Sequence, residues 1–318
     1  MTIARSFAEA AAFGPCAVTI GNFDGVHAGH RRLLCATIDS ARGRGAKPVA
    51  LMFDPHPMAV VAPKRMPPLL STVAERCEWM RALGIECVLM LPFTAELARF
   101  SPEQFAACLK DPLQARAVVV GENFRFGHKH GGHADTLTAL GGILGFETVV
   151  LPGVRTRGRL VSSSEVRGLI DTGNVAMAAR LLERPYALSG EVVRGHGIGS
   201  AQTVPTLNLR TTAQVLPKSG VYVTRTISLE DGRQWNSITN IGNRPTFGGD
   251  AELSVETFLL DTLEGATPTH IRVDLLRRVR DERKFADAAS LREQIMRDVA
   301  RAQVFFRRVA RWVAKPVE

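Results

Sequence analysis

Short apolar runs alternate with amphipathic segments along the first half of the chain. The apolar runs predict strands at 16–21, 48–53, 86–93, 115–121 and 147–152, and the amphipathic segments predict helices at 29–43, 74–84 and 101–109. A continuous apolar strand is buried on both faces, so this alternation predicts a parallel sheet covered by helices on both sides. Ligands of such sheets bind at the carboxyl ends of the strands, and we expect candidate chemistry there.

The pattern changes near residue 184 to short strands separated by turn residues. These strands predict an antiparallel barrel or sandwich, and apolar residues at helical spacing over 286–313 predict one or two terminal helices. The predicted strands are SGEVVRG, TLNLR, GVYVTRTISL, WNSITNIG, LSVETFLL and HIRVDLLRRV. We therefore expect two domains, 1–185 and 186–318.

The composition of the chain indicates its core size, the charge of its partners and its cellular location. The chain has 318 residues, 45% of them hydrophobic, which is enough for two cores. A formal net charge of +9 favours anionic partners such as phosphorylated small molecules, nucleic acid or acidic lipid. The five cysteines form no CxxC pair, the N-terminus is a poor signal peptide, and no apolar run reaches the roughly 18 residues of a membrane span. We expect a soluble cytoplasmic protein.

The segment TIGNFDGVHAGH, from Thr19 to His30, leads from the first predicted strand into the first predicted helix. The first turn of a helix has unpaired N–H groups and the positive end of the helix dipole, so it binds phosphate readily. Gly29 lets a phosphate approach the backbone. The imidazoles of His27 and His30 can donate hydrogen bonds to phosphoryl oxygens as charge grows in the transition state. The segment predicts a catalytic phosphate site.

The G-x-F-D-G-V-H-x-G-H string resembles the signature of the HxGH nucleotidyltransferases, which transfer a nucleotidyl group from ATP and release pyrophosphate. Three further segments follow in the order of one branch of that superfamily: FDPHP at 53–57, GENFRFG at 121–127 and VSSSEVR at 161–167. Together they resemble the N-terminal module of the bacterial bifunctional riboflavin kinase/FAD synthetases over about residues 15–170. The resemblance implies a Rossmann-like doubly wound α/β sheet that adenylylates FMN to FAD.

The same resemblance implies the residues of this site. Those that would bind ATP are Gly21, Phe23, Asp24, Gly25, His27, Gly29, His30, Ser162, Ser163, Ser164 and Arg167, with His27 and His30 catalytic. Those that would bind the flavin are Phe53, Pro55, His56, Asn123 and Phe126. Ser162-x-x-Glu165 is also a capping box, which predicts a helix start at Ser162. The family has an acidic or amide residue where His133 stands, and the HKHGGH loop around it lacks a metal ligand set.

The stretch GHGIGSAQTVPTLNL, from Gly195 to Leu209, predicts a second phosphate site. It is not a dinucleotide fingerprint, because no helix follows, and not a P-loop, because no Gly-Lys-Ser/Thr follows. The Thr206 hydroxyl and the Asn208 carbonyl are hard oxygen ligands, which suit Mg²⁺ held against ATP phosphates. Glu256 lies in an apolar strand after the glycine-rich NIGNRPTFGG, where its carboxylate can accept a proton from a hydroxyl.

With RDERKF at 280–285, this ordered set resembles the riboflavin kinase module, a six-stranded antiparallel β-barrel with a C-terminal helix, over about residues 187–300. The resemblance implies that Thr206 and Asn208 bind Mg²⁺-ATP and that Glu256 is the base that activates the ribityl terminal hydroxyl of riboflavin. The implied ATP-binding residues are Gly195, Gly197, Gly199, Pro205, Thr206 and Asn208, and the implied flavin-binding residues are Asn243, Arg280, Glu282 and Phe285.

Two positions depart from that family. Arginine is usual where Ser200 stands and glycine where Thr203 stands, so one phosphate contact and some loop freedom are lost. The leading interpretation is a bifunctional enzyme that makes FMN from riboflavin and FAD from FMN, with ATP as co-substrate and Mg²⁺ as cofactor. Two alternatives stay open: an FAD synthetase with weak or lost kinase activity, and a flavin-sensing nucleic-acid-binding regulator.

Expected partners follow from the leading interpretation. They are the small molecules riboflavin, FMN and ATP. We expect no nucleic-acid partner, because the sequence has no recognised nucleic-acid-binding motif, and no membrane partner. The expected state is a monomer or a weak homo-oligomer.

Overall fold

The computed structural model describes residues 1–193, 206–245, 251–283 and 285–313, in two compact units, Met1–Ser163 and Ser164–Glu318. The strands are β1 Thr2–Ala4, β2 Cys16–Ile20, β3 Lys47–Phe53, β4 Cys87–Leu91, β5 Ala115–Gly121, β6 Arg125–Phe126, β7 Gly132–His133, β8 Glu147–Leu151, β9 Arg155–Thr156, β10 Arg159–Leu160, β11 Tyr186–Val193, β12 Thr206–Thr211, β13 Gly220–Ser228, β14 Gln234–Pro245, β15 Ala251–Leu259 and β16 His270–Arg280. The helices are α1 Phe7–Ala11, α2 Ala28–Arg42, α3 Pro57–Val61, α4 Val73–Leu83, α5 Pro102–Lys110, α6 Ala134–Leu144, α7 Ser163–Asp171, α8 Val175–Leu182 and α9 Ala288–Val313.

The first unit is built on a six-stranded sheet in the order β1-β4-β3-β2-β5-β8, with every neighbouring pair parallel. This confirms the predicted doubly wound α/β class. The chain leaves β2 toward β3 on one side and returns to β5 on the other, so a topological switch point lies between β2 and β5. The segments that follow these two strands therefore emerge side by side. The sequence did not predict β1, because its three residues are too few to show a pattern.

Helices cover both faces of this sheet. One face packs against Leu109 of α5 and Leu137 of α6, and the other against Leu34 of α2 and Met80 of α4. All four side chains are fully buried. The continuous apolar runs are therefore central strands buried on both faces, as predicted.

The second unit contains a closed antiparallel barrel in the order β11-β12-β15-β14-β13-β16. This decides between the barrel and the sandwich. Among the described residues of the tail, a single 26-residue helix, α9, confirms the prediction of one or two terminal helices. Val299, Ala302 and Phe305 of α9 pack on the outer wall of the barrel around Val221 and Ile238.

Two helices precede the barrel in the second unit, and α8 packs against β11 and β16. The sequence predicted a helix start at Ser162, and α7 begins at Ser163, which leaves Ser162 at the capping position. It did not predict α8, whose eight residues are short for a helical pattern. The division of the two activities at 185/186 stays a prediction.

Candidate functional site

The carboxyl end of β2 leads into α2 through the segment that contains the two histidines. His27 caps α2, and its Nδ1 accepts a hydrogen bond from the backbone N–H of His30 at 3.2 Å. An accepting Nδ1 places the proton of the neutral ring on Nε2, so His27 presents an Nε2–H donor. A Cβ at position 29 would lie 3.2 Å from His27 Cε1 and Nδ1, so Gly29 leaves room for this ring. The helix terminus thus combines its dipole with an imidazole donor.

The two histidine rings stack on each other. Their centroids lie 3.7 Å apart with 14° between the planes, and the Phe23 ring meets His30 edge-on at 5.3 Å. Burial lowers the pKa of His30 well below its usual range, and the nearby charges of His27 and Arg76 lower it further. His30 is therefore neutral at pH 7. Its Nδ1 is buried without a hydrogen-bond partner among the described residues, which is typical of an atom that a ligand completes.

The loop between β2 and α2 is strained. Phe23, Gly25 and Val26 have φ values of 51°, 77° and 34°. For the two non-glycine residues this left-handed conformation costs on the order of 1–3 kcal/mol each, and it persists only where surrounding contacts enforce it. Such strain is common at functional sites.

Hydrogen bonds of Asp24 hold this loop in its strained conformation. Its buried carboxylate accepts hydrogen bonds from the backbone N–H groups of Leu70 and Ser71 at 2.9 and 3.1 Å, and from the Ser71 hydroxyl at 3.2 Å. The Ser71 hydroxyl in turn accepts from the N–H of Gly25 at 2.8 Å. Ser163 donates to the Asp24 carbonyl at 2.9 Å. Asp24, predicted to bind ATP, anchors the loop in this structure, and sequence reasoning missed Leu70 and Ser71.

Asn22 joins the first motif to the second. Its amide group lies 3.0 Å from Nε2 of His56, whose Nδ1 accepts from the backbone N–H of Met58 at 3.1 Å. Because Nδ1 accepts, Nε2 must donate, so the amide oxygen of Asn22 faces His56 and the amide nitrogen faces away. The buried amide atom on the side away from His56 has no hydrogen-bond partner among the described residues. Asn22 was not predicted as a site residue.

Arg76 is a second residue that the sequence did not predict. It is 3% exposed and donates to the backbone carbonyl of Asn22 at 2.8 Å. Burial lowers its pKa, and the carboxylates of Asp24 and Asp54 oppose that shift. An arginine on an amphipathic helix normally faces solvent, so no pattern in α4 distinguishes this buried cation.

The predicted flavin-binding residues of the first unit have different environments. Half-buried Phe53 ends β3, and its ring meets Phe93 edge-on at 5.2 Å. Pro55 and Asn123 are exposed. Phe126 is 7% exposed and stacks with Phe124 at 5.4 Å inside the core. The structure thus leaves Phe53, Pro55 and Asn123 accessible to a ligand and gives Phe126 a packing role.

The remaining predicted ATP-binding residues lie at the start of the loop and around α7. Gly21 leaves room for the Phe23 ring, which would lie 3.3 Å from a Cβ at position 21. Ser162 and Ser163 end the first unit, whereas Ser164 and Arg167 belong to α7 in the second. His133, the residue that departs from the family, contacts Arg125 across the β6–β7 hairpin.

The second candidate site lies on the barrel wall. Asn208 on β12 is directly opposite Glu256 on β15, and Glu256 is directly opposite Asn240 on β14. Directly opposed residues of antiparallel strands have Cβ atoms about 5 Å apart, so these three side chains form one row. The Ser254 hydroxyl donates to Oε1 of Glu256 at 2.9 Å. The predicted base and a predicted metal ligand are therefore neighbours, with Thr206 on the same strand face as Asn208.

A cavity of about 320 Å³ lies in front of this row. Its walls contain two of the row's three residues, three residues of the RDERKF string predicted to bind flavin, and apolar residues of the barrel and α9. The lining residues are Val221, Ile238, Asn240, Glu256, Phe258, Arg280, Glu282, Arg283, Phe285, Leu291, Ile295 and Asp298. The predicted residues Arg280, Glu282 and Phe285 thus meet Glu256 at one cavity, although they are distant in sequence.

On the side of the cavity that faces the barrel wall, arginine side chains at and after the end of β16 contact α9. Arg280 donates through Nε to Asp298 at 2.7 Å, and Gln294 donates to the other carboxylate oxygen of Asp298 at 2.8 Å. Arg283 donates to the Gln294 carbonyl oxygen. The guanidinium carbons of Arg280 and Arg283 lie 5.8 and 4.9 Å from the ring centroid of Phe285. Gln294 and Asp298 are buried, and the sequence predicted neither of them as a site residue.

Gly242 lets Glu282 reach the barrel. A Cβ at position 242 would overlap the Glu282 carboxylate. Asn243, the next residue of β14, lies opposite Leu253, and its side chain is outside the described part of the structure. The predicted residues Gly195, Gly197, Gly199 and Pro205, and the departures Ser200 and Thr203, also lie outside the described residues.

Comparison with known proteins matches both halves of the chain. The family model of FAD synthetase matches residues 10–165, and that of riboflavin kinase matches residues 182–306. The bifunctional riboflavin kinase/FMN adenylyltransferase of Escherichia coli K12 is 34% identical over 292 residues, which cover 92% of this chain and 93% of that protein. The chain belongs to the bifunctional riboflavin kinase/FMN adenylyltransferase family.

A second relative of the same name and a solved structure are also similar to this chain. The riboflavin kinase/FMN adenylyltransferase of Pseudomonas fluorescens is 32% identical over 290 residues, covering 91% of this chain and 92% of that protein. A solved structure described as a macrolide-efflux protein from Streptococcus pneumoniae has a TM-score of 0.81 at 26% identity, covering 91% of this chain and 93% of that one. In the described ranges, every helix is too short or too polar to cross a membrane.

Proposed function

We propose that the second unit phosphorylates riboflavin to FMN and that the first unit adenylylates FMN to FAD, with ATP as co-substrate of both reactions. The observation that carries this proposal is Glu256, which lines the cavity and lies directly opposite Asn208 on the adjacent strand. It brings a proton acceptor beside a residue suited to hold a phosphate-bound cation. Both family models support the assignment of one reaction to each half of the chain.

In the kinase reaction, Glu256 accepts the proton of the terminal ribityl hydroxyl as that oxygen attacks the γ-phosphorus of ATP and ADP departs. Ser254 donates to one carboxylate oxygen at 2.9 Å and thereby orients the base. Arg280, Glu282 and Phe285 enclose the flavin from the side of α9. Little covalent chemistry is required of the protein, so positioning accounts for most of the rate enhancement.

The residues present fit a magnesium ion that enters with ATP. The Thr206 hydroxyl and the Asn208 amide oxygen are hard ligands on one strand face, and both side chains are half-buried. Magnesium would neutralise charge on the transferring phosphate. Gly195, Gly197, Gly199 and Pro205 are assigned to ATP, and Asn243 to the flavin, on the family resemblance.

In the adenylyl transfer, a phosphate oxygen of FMN attacks the α-phosphorus of ATP and pyrophosphate departs. The N-terminus of α2 and the Nε2–H of His27 stabilise the growing negative charge. Neutral His30 adds a contact to the phosphates through Nδ1, the ring nitrogen that has no hydrogen-bond partner among the described residues. Ser162, Ser163, Ser164 and Arg167 are assigned to the outer phosphates on the same resemblance.

The remaining assignments complete the proposal. We place the end of the adenylylating module at residue 185, so that it includes α7 and α8 in addition to the first unit, and the start of the kinase module at 186. We assign Phe53, Pro55, His56 and Asn123 to the flavin of the first site, and the buried ring of Phe126 supports this site from the core. The enzyme works in the cytoplasm as a monomer or a weak homo-oligomer, without nucleic acid or membrane partners.

One assay tests both reactions. Purified protein is incubated with ATP and Mg²⁺ and with either riboflavin or FMN, and the flavins are separated by chromatography. We expect riboflavin to yield FMN and then FAD, and FMN to yield FAD. FAD from FMN but no FMN from riboflavin would show that the kinase reaction is lost, and no product from either flavin would overturn the whole proposal.

A further inference from the structure

Asn240 is a polar side chain of the cavity that the two proposed reactions leave without a role. It is half-buried on β14 and lines the cavity together with Glu256. Its amide makes no hydrogen bond to another side chain among the residues that the structure describes, whereas Glu256 is oriented by Ser254. Polar groups that become buried are usually hydrogen-bonded, so a ligand that fills the cavity must either pair with this amide or leave it unsatisfied at a cost.

The position of Asn240 relative to Glu256 specifies which part of the ligand it meets. The two residues are directly opposite on β14 and β15, with Cβ atoms about 5 Å apart. Two residues along each strand, the same wall becomes apolar, with Ile238 and Phe258 directly opposite each other. Leu291 and Ile295 of α9 extend this apolar part of the cavity.

On the barrel side, the cavity therefore has a polar end at Asn240 and Glu256 and an apolar part beyond it. Charged side chains complete the rest of its lining: Arg280, Glu282, Arg283 and Asp298. Riboflavin has the matching division, with a flat ring system and a polyhydroxyl chain. An amide offers an N–H donor and a carbonyl acceptor side by side, which pairs with a hydroxyl group as both acceptor and donor. A carboxylate at the same place would only accept, and it would add a second negative charge beside Glu256.

We propose that Asn240 binds the ribityl chain of riboflavin through a hydroxyl next to the terminal one and thereby directs the terminal hydroxyl to Glu256. This inference rests on the proposed kinase function of the second unit. Asn240 is a substrate-binding residue that selects flavins with a hydroxylated chain. It acts together with Glu256 but does not take the proton.

The test compares two flavins and three variants. Lumiflavin has the ring system of riboflavin with a methyl group in place of the ribityl chain. Binding of each flavin to the full chain is measured with Mg²⁺-ADP present, and FMN formation is measured with ATP. The variants are Asn240→Ala, Asn240→Asp and the matched control Asn236→Ala, which changes a half-buried asparagine of the same strand outside the cavity lining.

Asn240→Ala should weaken riboflavin binding by about tenfold, as expected for one hydrogen bond, and leave lumiflavin binding within about twofold. Asn240→Asp should also weaken riboflavin binding and leave lumiflavin binding within about twofold, because a carboxylate accepts but cannot donate a hydrogen bond to the chain hydroxyl. Asn236→Ala should change none of these. Equal losses for both flavins would show that the substitution distorts the cavity, and unchanged riboflavin binding would show that Asn240 makes no contact; either result overturns the inference.

The outcomes separate this inference from the proposed function. If the unaltered protein forms no FMN from riboflavin, the kinase proposal fails. If it forms FMN and Asn240→Ala forms it with unchanged Michaelis constant and turnover, only the role of Asn240 fails. If Asn240→Ala does not fold, Asn240→Ser tests the same contact with a smaller side chain, and its lumiflavin affinity reports on the shape of the cavity.

Discussion

The two candidate sites are assembled in opposite ways. In the first unit, the histidines, the strained loop and the helix terminus come from one continuous segment, Gly21–His30, and the Asp24 carboxylate fixes that segment through backbone N–H groups. In the second unit, the row on the barrel wall joins three strands. The facing wall comes from α9 and from four residues near the end of β16: Arg280, Glu282, Arg283 and Phe285.

The difference concerns which contacts must form before a ligand can bind. Backbone donors hold Asp24, so the first site depends on the path of the main chain. The second site depends on side-chain contacts between elements that are distant in sequence, such as that of Arg280 with Asp298. We therefore expect substitutions in the first site to act through folding of the loop, and substitutions in the second to act on substrate affinity and the chemical step.

The largest expected effect is a loss of the kinase reaction with the adenylyl-transfer reaction retained. Glu256→Gln keeps the size of the side chain but removes the proton acceptor, so FMN formation should fall by about a thousandfold, within the range for loss of a general base. FAD formation from supplied FMN should stay within about twofold. Initial rates of both reactions on one preparation provide the measurement.

Glu264→Gln is the control, because Glu264 is exposed and outside the cavity lining. Both rates should remain unchanged in that variant. A parallel loss of both activities in Glu256→Gln would contradict independent sites.

Asp24→Ala should have the next largest effect, and in the first unit alone. It leaves the backbone donors of Leu70 and Ser71 without their carboxylate acceptor in a buried place. A buried N–H group that loses its acceptor costs about 1–3 kcal/mol of stability. The first unit should therefore unfold at a lower temperature, and FAD formation should fall at least tenfold. Calorimetry and both activity assays provide the measurement.

Asp39→Ala is the matched control, since the side chain of Asp39 is 73% exposed and its ion pair is with exposed Arg42 on the same helix. It should leave unfolding and both rates unchanged. Loss of FAD formation in Asp24→Ala without any change in unfolding would instead assign the Asp24 carboxylate to the substrate.

Asp298→Asn should have a moderate effect, and on the second site alone. The amide retains an acceptor for Arg280 but loses the charge that neutralises this partly buried guanidinium. The cavity wall that contains Arg280 should become less ordered, so the Michaelis constant for riboflavin should rise about tenfold with a smaller change in turnover.

Glu293→Gln, which alters an exposed ion pair with Arg297 on the same helix, should leave both kinetic constants unchanged. If Asp298→Asn lowered turnover and left the Michaelis constant unchanged, Asp298 would act on the chemical step, and the facing wall would not set affinity.

The same contrast explains how far the sequence could predict this molecule. Central strands buried on both faces, and helices such as α5 with its Ser101 cap, have local patterns, and their bounds were predicted within about two residues. The histidine segment is equally local. Asn240 and Asp298 become site residues only through strand register and helix packing, which no local pattern encodes. Arg76 was missed because its burial contradicts the usual exposure of arginine.

The smallest expected effect is a pH dependence confined to the first site. Burial holds the pKa of His30 below that of the unfolded chain, which is about 6.5. The unfolded state therefore takes up the proton first as pH falls, so the contribution of neutral His30 is fully present above pH 6.5 and is progressively lost below it. Between pH 7.5 and 5.5, the melting temperature of the first unit should fall more in the unaltered protein than in His30→Gln, which cannot titrate.

Bound triphosphate should oppose the loss, because its negative charge raises the pKa of the ring, and NMR titration of the His30 ring with and without ATP measures that change directly. A pKa of His30 at or above 6.5 without ATP would contradict the buried, neutral ring, and the first site would then offer a cation where the structure indicates a neutral donor.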